Sequence, residues 1–294
     1  MKGLILAGGS GSRLYPTTWV VSKQLLPLYD KPMIYYPLST LMMAGIREIL
    51  IITRPDELEL FKRLLSDGSQ WGIEISYAVQ ESPNGLGEAF VLGADFIGDS
   101  ACALILGDNT FYGSGLFSFL EDQRREFEKT CEGGARVFTY PVRDPERYAV
   151  IDFDEGGHPA SIEEKPTSPR SHDAVVGLYF YDHHVVKLAR NATPSERGEI
   201  EITDINRRYL ERDQLQVTRF GRGYTWFDAG THEAMMQAAF FTQAVEERQG
   251  LKIACPEEIA LRKGFISRDE FLSLAARLAK SSYGEYLNFV ASTS

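Results

Sequence analysis

Short apolar runs alternate with helix-spaced stretches through the first 110 residues. GLILA (3–7), REILIIT (47–53) and ACALILG (101–107) read as buried strands, and IEISYAV (73–79) alternates as a strand does. MIYYPLSTLMMAG (33–45), ELELFKRLL (57–65) and LGEAFVLGADFI (86–97) read as helices. Gly45 closes the first, and Pro37 is tolerable only near its start. Near-continuous apolar strands separated by helices predict a mostly parallel sheet flanked by helices on both faces, with right-handed crossovers.

The rhythm changes after about residue 140. YAVIDFDEGGHPASIEE (148–164) predicts two strands around a turn at Glu155-Gly156-Gly157. EEKPTSPRSHD reads as a loop, AVVGLYFYD (174–182) as a strand and HHVVKLARNA as a short helix. EITDINRRYLERD predicts a helix capped by Thr203 or Asp204. After a strand-and-loop segment to residue 230, a long helix is predicted over 232–250 and further helices over 257–290. There are no repeats. The expected plan is an α/β core over 1–250 with a small inserted sheet region, followed by a helical C-terminal segment over 251–294.

At 294 residues and 44% hydrophobic content the chain can fill a sizeable core. A net charge of -10 argues against general nucleic-acid binding but leaves room for a locally basic site. Cys102, Cys131 and Cys255 are far apart and odd in number, so they suggest neither a disulfide framework nor a zinc knuckle. No leader pattern and no run of about 20 apolar residues is present, so a cytoplasmic protein with no membrane partner is expected.

The chemistry begins where the first strand stops, at Gly8-Gly9-Ser10-Gly11-Ser12-Arg13. Amides of a glycine-rich turn converge on phosphate oxygens, and an arginine adds a permanent bidentate donor. Lys23 supplies a second cation. The loop lacks the Gly-Lys-Ser/Thr of a Walker motif and the downstream acid of a dinucleotide fingerprint, which leaves a phosphate ligand of unspecified kind. In QESPNGLG (80–87), Gln80 carries a donor and an acceptor on one amide, as a base edge requires. Asp108 follows a buried strand and Asp228 follows YTWF, both at places where a parallel sheet binds ligands. Two carboxylates and a phosphate loop suggest Mg²⁺-assisted phosphoryl or nucleotidyl transfer, although spacing alone does not pair residue 108 with 228.

Together, LILAGGSGSRLYP (4–16), SKQLLPLYDKPMIYYPLSTLM (22–42), QESPNGLGEAF, LGDN, IEEKP (162–166), RGEIEITDIN (197–206), TWFDAGT (225–231) and CPEEIALRKGFI (255–266) resemble the glucose-1-phosphate thymidylyltransferase family over nearly the whole chain. The resemblance implies a Rossmann-like fold of the nucleotide-diphospho-sugar transferase type. It also implies Mg²⁺, a homotetramer, and conversion of dTTP and glucose 1-phosphate to dTDP-glucose and pyrophosphate. By the same resemblance Gly8, Gly11, Arg13 and Lys23 meet the phosphates, and Gln80 and Gly85 the thymine. Asp108 and Asp228 hold the metal, while Tyr148, Glu164, Lys165, Val175, Glu199 and Trp226 surround the sugar phosphate. A second nucleotide-sugar site, with feedback by a downstream dTDP-sugar such as dTDP-rhamnose, is implied at Lys252, Cys255, Glu258, Ile259 and Arg262. Ala149 stands where the family usually has glycine. The nearest rivals are another sugar-phosphate nucleotidyltransferase, such as a uridylyltransferase, and a sensing protein that has lost catalysis.

Overall fold

A computed structural model describes residues 1–130, 133–195 and 198–293. Cys131, and Arg197 of the RGEIEITDIN stretch, lie outside the described residues. The chain runs β1 (Lys2–Ala7), β2 (Pro27–Leu28), β3 (Lys31–Pro32), α1 (Tyr35–Met43), β4 (Glu48–Thr53), α2 (Leu58–Leu65), β5 (Glu74–Val79), α3 (Glu88–Leu92), α4 (Ala94–Ile97), β6 (Cys102–Leu106) and β7 (Asn109–Gly113). It continues through α5 (Leu116–Thr130), β8 (Ala135–Pro141), β9 (Ala149–Phe153), β10 (Pro159–Glu164), β11 (Asp173–Tyr181), α6 (Val185–Arg190), α7 (Ile202–Leu210), β12 (Leu215–Arg219) and β13 (Tyr224–Asp228). It ends with α8 (His232–Gln249), α9 (Pro256–Arg262), α10 (Arg268–Arg277) and α11 (Ser282–Thr293).

The main sheet has the order β10-β9-β11-β6-β1-β4-β5, with β8 pairing β11 and β12. Its first half is parallel, β6-β1-β4-β5, as the apolar runs predict. β11 runs antiparallel to β6, β8 and β9, and β10 to β9, while β12 pairs parallel with β8, so the sheet is mixed. Side chains such as Leu4, Ile5, Ile51, Leu104 and Ile105 have no exposed surface. They feed two apolar layers, one on each face of the sheet.

Two local readings differ from the structure, and one strand is not anticipated by the sequence pattern. The helix expected over 86–97 breaks into α3 and α4 at Gly93. A Cβ on Gly93 would lie 2.9 Å from the Leu4 side chain, so the break lets backbone press onto the sheet. Thr203 does not cap α7. Glu201 holds that position in extended conformation, and the Thr203 hydroxyl turns to Glu164 instead. The residues after Asp108 continue as β7, which pairs antiparallel with β13 in a separate ladder.

The C-terminal helices are joined to the main body. Cys255, Ile259, Phe271, Leu287 and Val290 lie in the same apolar cluster as α1 and the sheet. Of the side chains that make 232–290 look surplus in apolar area, Phe271 is fully buried while Met235 and Phe241 pack on a third cluster. Met236 and Phe240 are exposed.

A buried charge cluster fastens α8 to the β2–β3 hairpin. Glu246 accepts from Lys31 Nζ at 2.9 Å, from Lys252 Nζ at 3.3 Å and from the Ile253 amide at 2.8 Å. Asp30 pairs with both lysines. Burial pushes the Asp30 carboxyl up, but the two ammonium groups outweigh it and hold it below its ordinary value. The Lys31 side chain is 1% exposed, so removal of its carboxylate leaves a buried cation short of partners. Glu246→Ala is expected to cost about 3 kcal/mol of unfolding free energy in urea melts. A loss below about 0.5 kcal/mol, typical of surface substitutions, would contradict this reading of the cluster.

Candidate active site

One cavity of about 410 Å³ opens beyond the carboxyl ends of the parallel strands. Its lining includes Gly9 to Arg13, Lys23, Gln80, Gly85, Asp108, Tyr148, Ala149, Glu164, Lys165, Val175, Glu199 and Asp228. Segments spread over more than 200 residues are thus brought to one place. Gly8 and Trp226 are not in the lining.

The glycine loop owes its shape to two positions. Gly11 has φ 62°, and its carbonyl accepts from the Thr18 hydroxyl at 2.7 Å. Gly8 makes room for the Gln80 side chain, because a Cβ there would lie 2.4 Å from Gln80 Oε1. Arg13 follows on the short helix Ser12–Leu14 and faces the cavity. Gly85, at φ 100°, lets the 80–87 loop close on the segment before α7. The Ile200 amide donates to the Asn84 carbonyl at 2.7 Å, and the Gly87 amide to the Ile200 carbonyl at 2.9 Å.

The two aspartates meet through the β7–β13 ladder, which sets Asp228 opposite Asn109. Asn109 ties three elements together. Its Nδ2 donates to Asp108 Oδ1 at 3.0 Å, and its Oδ1 accepts from Trp226 Nε1 at 2.6 Å and from the Gly177 amide at 3.1 Å. Gly177 must be small, since a Cβ would lie 2.6 Å from that oxygen. Trp226 therefore stands behind the cavity wall, braced on Asn109 and packed under Tyr148 with ring centroids 5.1 Å apart.

Lys23 bonds directly to Asp108 Oδ2. Burial raises the Asp108 carboxyl, but the Lys23 ammonium, by charge and hydrogen bond, holds it below the ordinary range with help from Asn109. Asp228 has no such partner among the described residues. Burial, and then the charge of Asp108, push it up to about 6 against the pull of Lys23, Arg13 and Arg147. Two neighbouring carboxylates of unequal acidity form a hard-oxygen pair that suits a divalent cation also bound by phosphates. No cluster of three or more His, Cys, Asp or Glu side chains suited to a metal occurs among the described residues.

In the same lining, Glu164 Oε2 accepts from the buried Thr203 hydroxyl at 2.6 Å. Lys165 Nζ stands 3.5 Å from Glu164 Oε1. Lys165 has φ 45°, a left-handed conformation that lysine rarely adopts, and its amide donates to the Tyr148 carbonyl at 3.0 Å. Ala149 lies in β9 opposite Glu164, outside the left-handed region, so alanine meets no backbone penalty there.

The sequence reading passed over Arg147 and gave Asn109 and Thr203 no role at the site. Arg147 lines the cavity, stacks over Tyr148 and pairs with Asp144 at 2.6 Å. Its adjacency to Tyr148 in PERYAV was the available signal. The five residues of the implied second site do share a cavity, of about 160 Å³, between α1, β7 and α9. Lys252 and Arg262 enter it already paired, with Asp30 and Glu246 and with Glu258 at 2.6 Å. Burial pushes the Glu258 carboxyl and the Cys255 thiol up.

The raised Asp228 carboxyl has a consequence for stability without metal. A folded pKa of about 6, above the unfolded 3.8, contributes stability that is fully present below about pH 4 and is lost as pH rises through 6. Asp228→Asn is expected to stabilise the chelator-treated protein by on the order of 2 kcal/mol at pH 8, with the advantage fading by about pH 4. Denaturant melts across that range check it; an advantage that does not change with pH would contradict it.

The family model for nucleotidyl transferases matches residues 2–245. Glucose-1-phosphate thymidylyltransferase of Neisseria meningitidis is 56% identical over 98% of this chain and 98% of its own length. That of Xanthomonas campestris is 55% identical over 99% and 97%. A Bacillus anthracis protein assigned the same activity, solved with sucrose, superposes at a TM-score of 0.75 with 39% identity, over 82% of this chain and 94% of that one. A UDP-glucose pyrophosphorylase solved with UDP-glucose gives 0.71 at 26% identity, over 84% and 99%. The chain is an enzyme of the nucleotidyltransferase class and belongs to the glucose-1-phosphate thymidylyltransferase family.

Proposed function

We propose that the protein transfers the thymidylyl group of dTTP to glucose 1-phosphate, releasing pyrophosphate and forming dTDP-glucose. The observation that carries this is the set of groups that one cavity gathers. Its lining combines Gln80 and the glycine loop, suited to a base and phosphates, the Glu164–Lys165 pair, suited to hexose hydroxyls and phosphate, and Lys23, Asp108 and Asp228. The curated relatives' activity supports the same choice.

In this reading no strong base is required, because the sugar phosphate is already an anionic nucleophile. It attacks the α-phosphorus in line as pyrophosphate departs on the far side. Bringing two anions together is the main obstacle, and Arg13, Lys23, Lys165 and Arg147 offset their repulsion. Glu164, held by Thr203, accepts from sugar hydroxyls. Tyr148, braced on Trp226, shapes the sugar side. Asp108 and Asp228 would hold Mg²⁺, which when bound supplies Lewis-acid charge and orders the triphosphate. Lys23, bonded to Asp108, is placed to donate to a phosphate oxygen as well. Catalysis is positioning and charge stabilisation.

Pyrophosphate release with glucose 1-phosphate and each of dTTP, UTP, CTP and GTP tests the reading. dTTP is expected to be used best, UTP less well and purines very poorly; a purine used as well as dTTP would overturn it. Asp108→Asn should lower turnover roughly 100-fold or more, with the melting temperature retained.

The proposal extends to a closed tetramer, supported by the exposed apolar Met236 and Phe240 on α8. It extends also to the second cavity as a regulatory nucleotide-sugar site, in which a diphosphate competes with the carboxylates for Lys252 and Arg262. Calorimetry with a dTDP-sugar should find two sites per chain, one of which survives mutation of Arg13. A single site abolished by that mutation would contradict the second.

A further inference from the structure

Gln80 reads the base in the reading above, and an amide can read in either of two senses. Turned one way it presents a carbonyl and accepts a hydrogen bond; turned the other way it presents an NH₂ and donates. The sense decides which base fits, and nothing within glutamine itself chooses it. The choice is made by a neighbour outside the cavity lining. Glu88, the first residue of α3, places Oε2 at 2.7 Å from Gln80 Nε2. Its other oxygen accepts from Asn84 Nδ2 at 2.8 Å. An ionised carboxylate only accepts, so both amides must turn their NH₂ groups toward it. Gln80, itself a lining residue of the cavity, is left with Oε1 turned to Gly8 of the glycine loop, and that oxygen takes no hydrogen bond among the described residues. Gln80 itself is 4% exposed, so its amide has little freedom to turn.

We propose that Glu88 is a positioning residue that fixes the hydrogen-bond polarity of Gln80 and so restricts the enzyme to pyrimidines with a protonated ring N3. Thymine and uracil offer N3–H as a donor to the waiting Oε1. Cytosine presents a bare N3 acceptor there, which would face the carbonyl and leave two acceptors opposed. A site built for a hydrogen bond rejects a partner that cannot make it far more strongly than an apolar pocket rejects a missing methyl. Glu88 therefore sets thymine or uracil against cytosine and says nothing about thymine against uracil. The inference rests on the proposed activity and adds how that site chooses its base.

The test compares kcat/KM for dTTP and dCTP, with glucose 1-phosphate as cosubstrate, in the wild type and in Glu88→Gln. The wild type should prefer dTTP by about 100-fold or more. In the variant, the new NH₂ can donate to Gln80 Oε1 and let the amide reverse. The preference should then fall at least about 10-fold, with dCTP improving in absolute terms. Equal losses for both nucleotides in the variant would overturn the proposal and leave Glu88 a merely structural residue. So would a wild type that uses dCTP as readily as dTTP, an arm that stands even if the variant melts early. If the wild type releases no pyrophosphate from dTTP and glucose 1-phosphate, the activity itself is wrong. Calorimetric binding of dTTP against dCTP to both proteins then decides the polarity claim alone, by the same ratios.

Discussion

The site depends on one amide. Asn109 cannot move without disturbing Asp108, Trp226 and the backbone of Gly177, because each is hydrogen-bonded to it. Those bonds join three strands, β7, β13 and β11, of which only β11 belongs to the main sheet. The two carboxylates are therefore held side by side by a two-strand ladder that is tied to the interior strand β11. Bringing two buried acids together is costly, and the structure lowers that cost by giving one of them a lysine. The asymmetry between a depressed Asp108 and a raised Asp228 follows from which of the two Lys23 reaches.

The same logic explains how an acidic chain handles anionic substrates. Its net charge is -10, yet Arg13, Lys23, Arg147 and Lys165 all face one cavity. Two of these four have ion-pair partners close by that lie in the cavity lining themselves, Asp108 for Lys23 and Glu164 for Lys165. Arg147 is held from outside the lining by Asp144. Lys23, Lys165 and Arg147 are thus held in place by carboxylates at or beside the cavity.

Much of this is legible in the sequence for a physical reason. The parallel half of the sheet is buried on both faces, so β1, β4 and β6 write themselves as unbroken apolar runs. The glycine loop and the positions after strands mark where a ligand can lie. β7 is harder to see, since NTFYG mixes polar and apolar residues and its partner β13 lies more than 100 residues away. The pairing of Asp108 with Asp228 is set by that long-range register and not by spacing, so only family resemblance brings the two together. Thr203 looks like a helix cap because threonine usually is one, whereas here Glu164 competes for its hydroxyl and wins. Trp226 is placed at the site by its motif, but its indole N–H finds Asn109 and keeps the ring behind the wall.

The central claim is that Asp108 and Asp228 form a cation site that is incomplete until a nucleotide triphosphate arrives. Electron paramagnetic resonance of Mn²⁺ titrated into the protein, with and without dTTP, tests it most directly. The account predicts weak or no binding to the protein alone, a bound-ion spectrum when dTTP is added, and loss of that spectrum in Asp228→Asn. A bound-ion spectrum of equal intensity in the wild type and Asp228→Asn would contradict it.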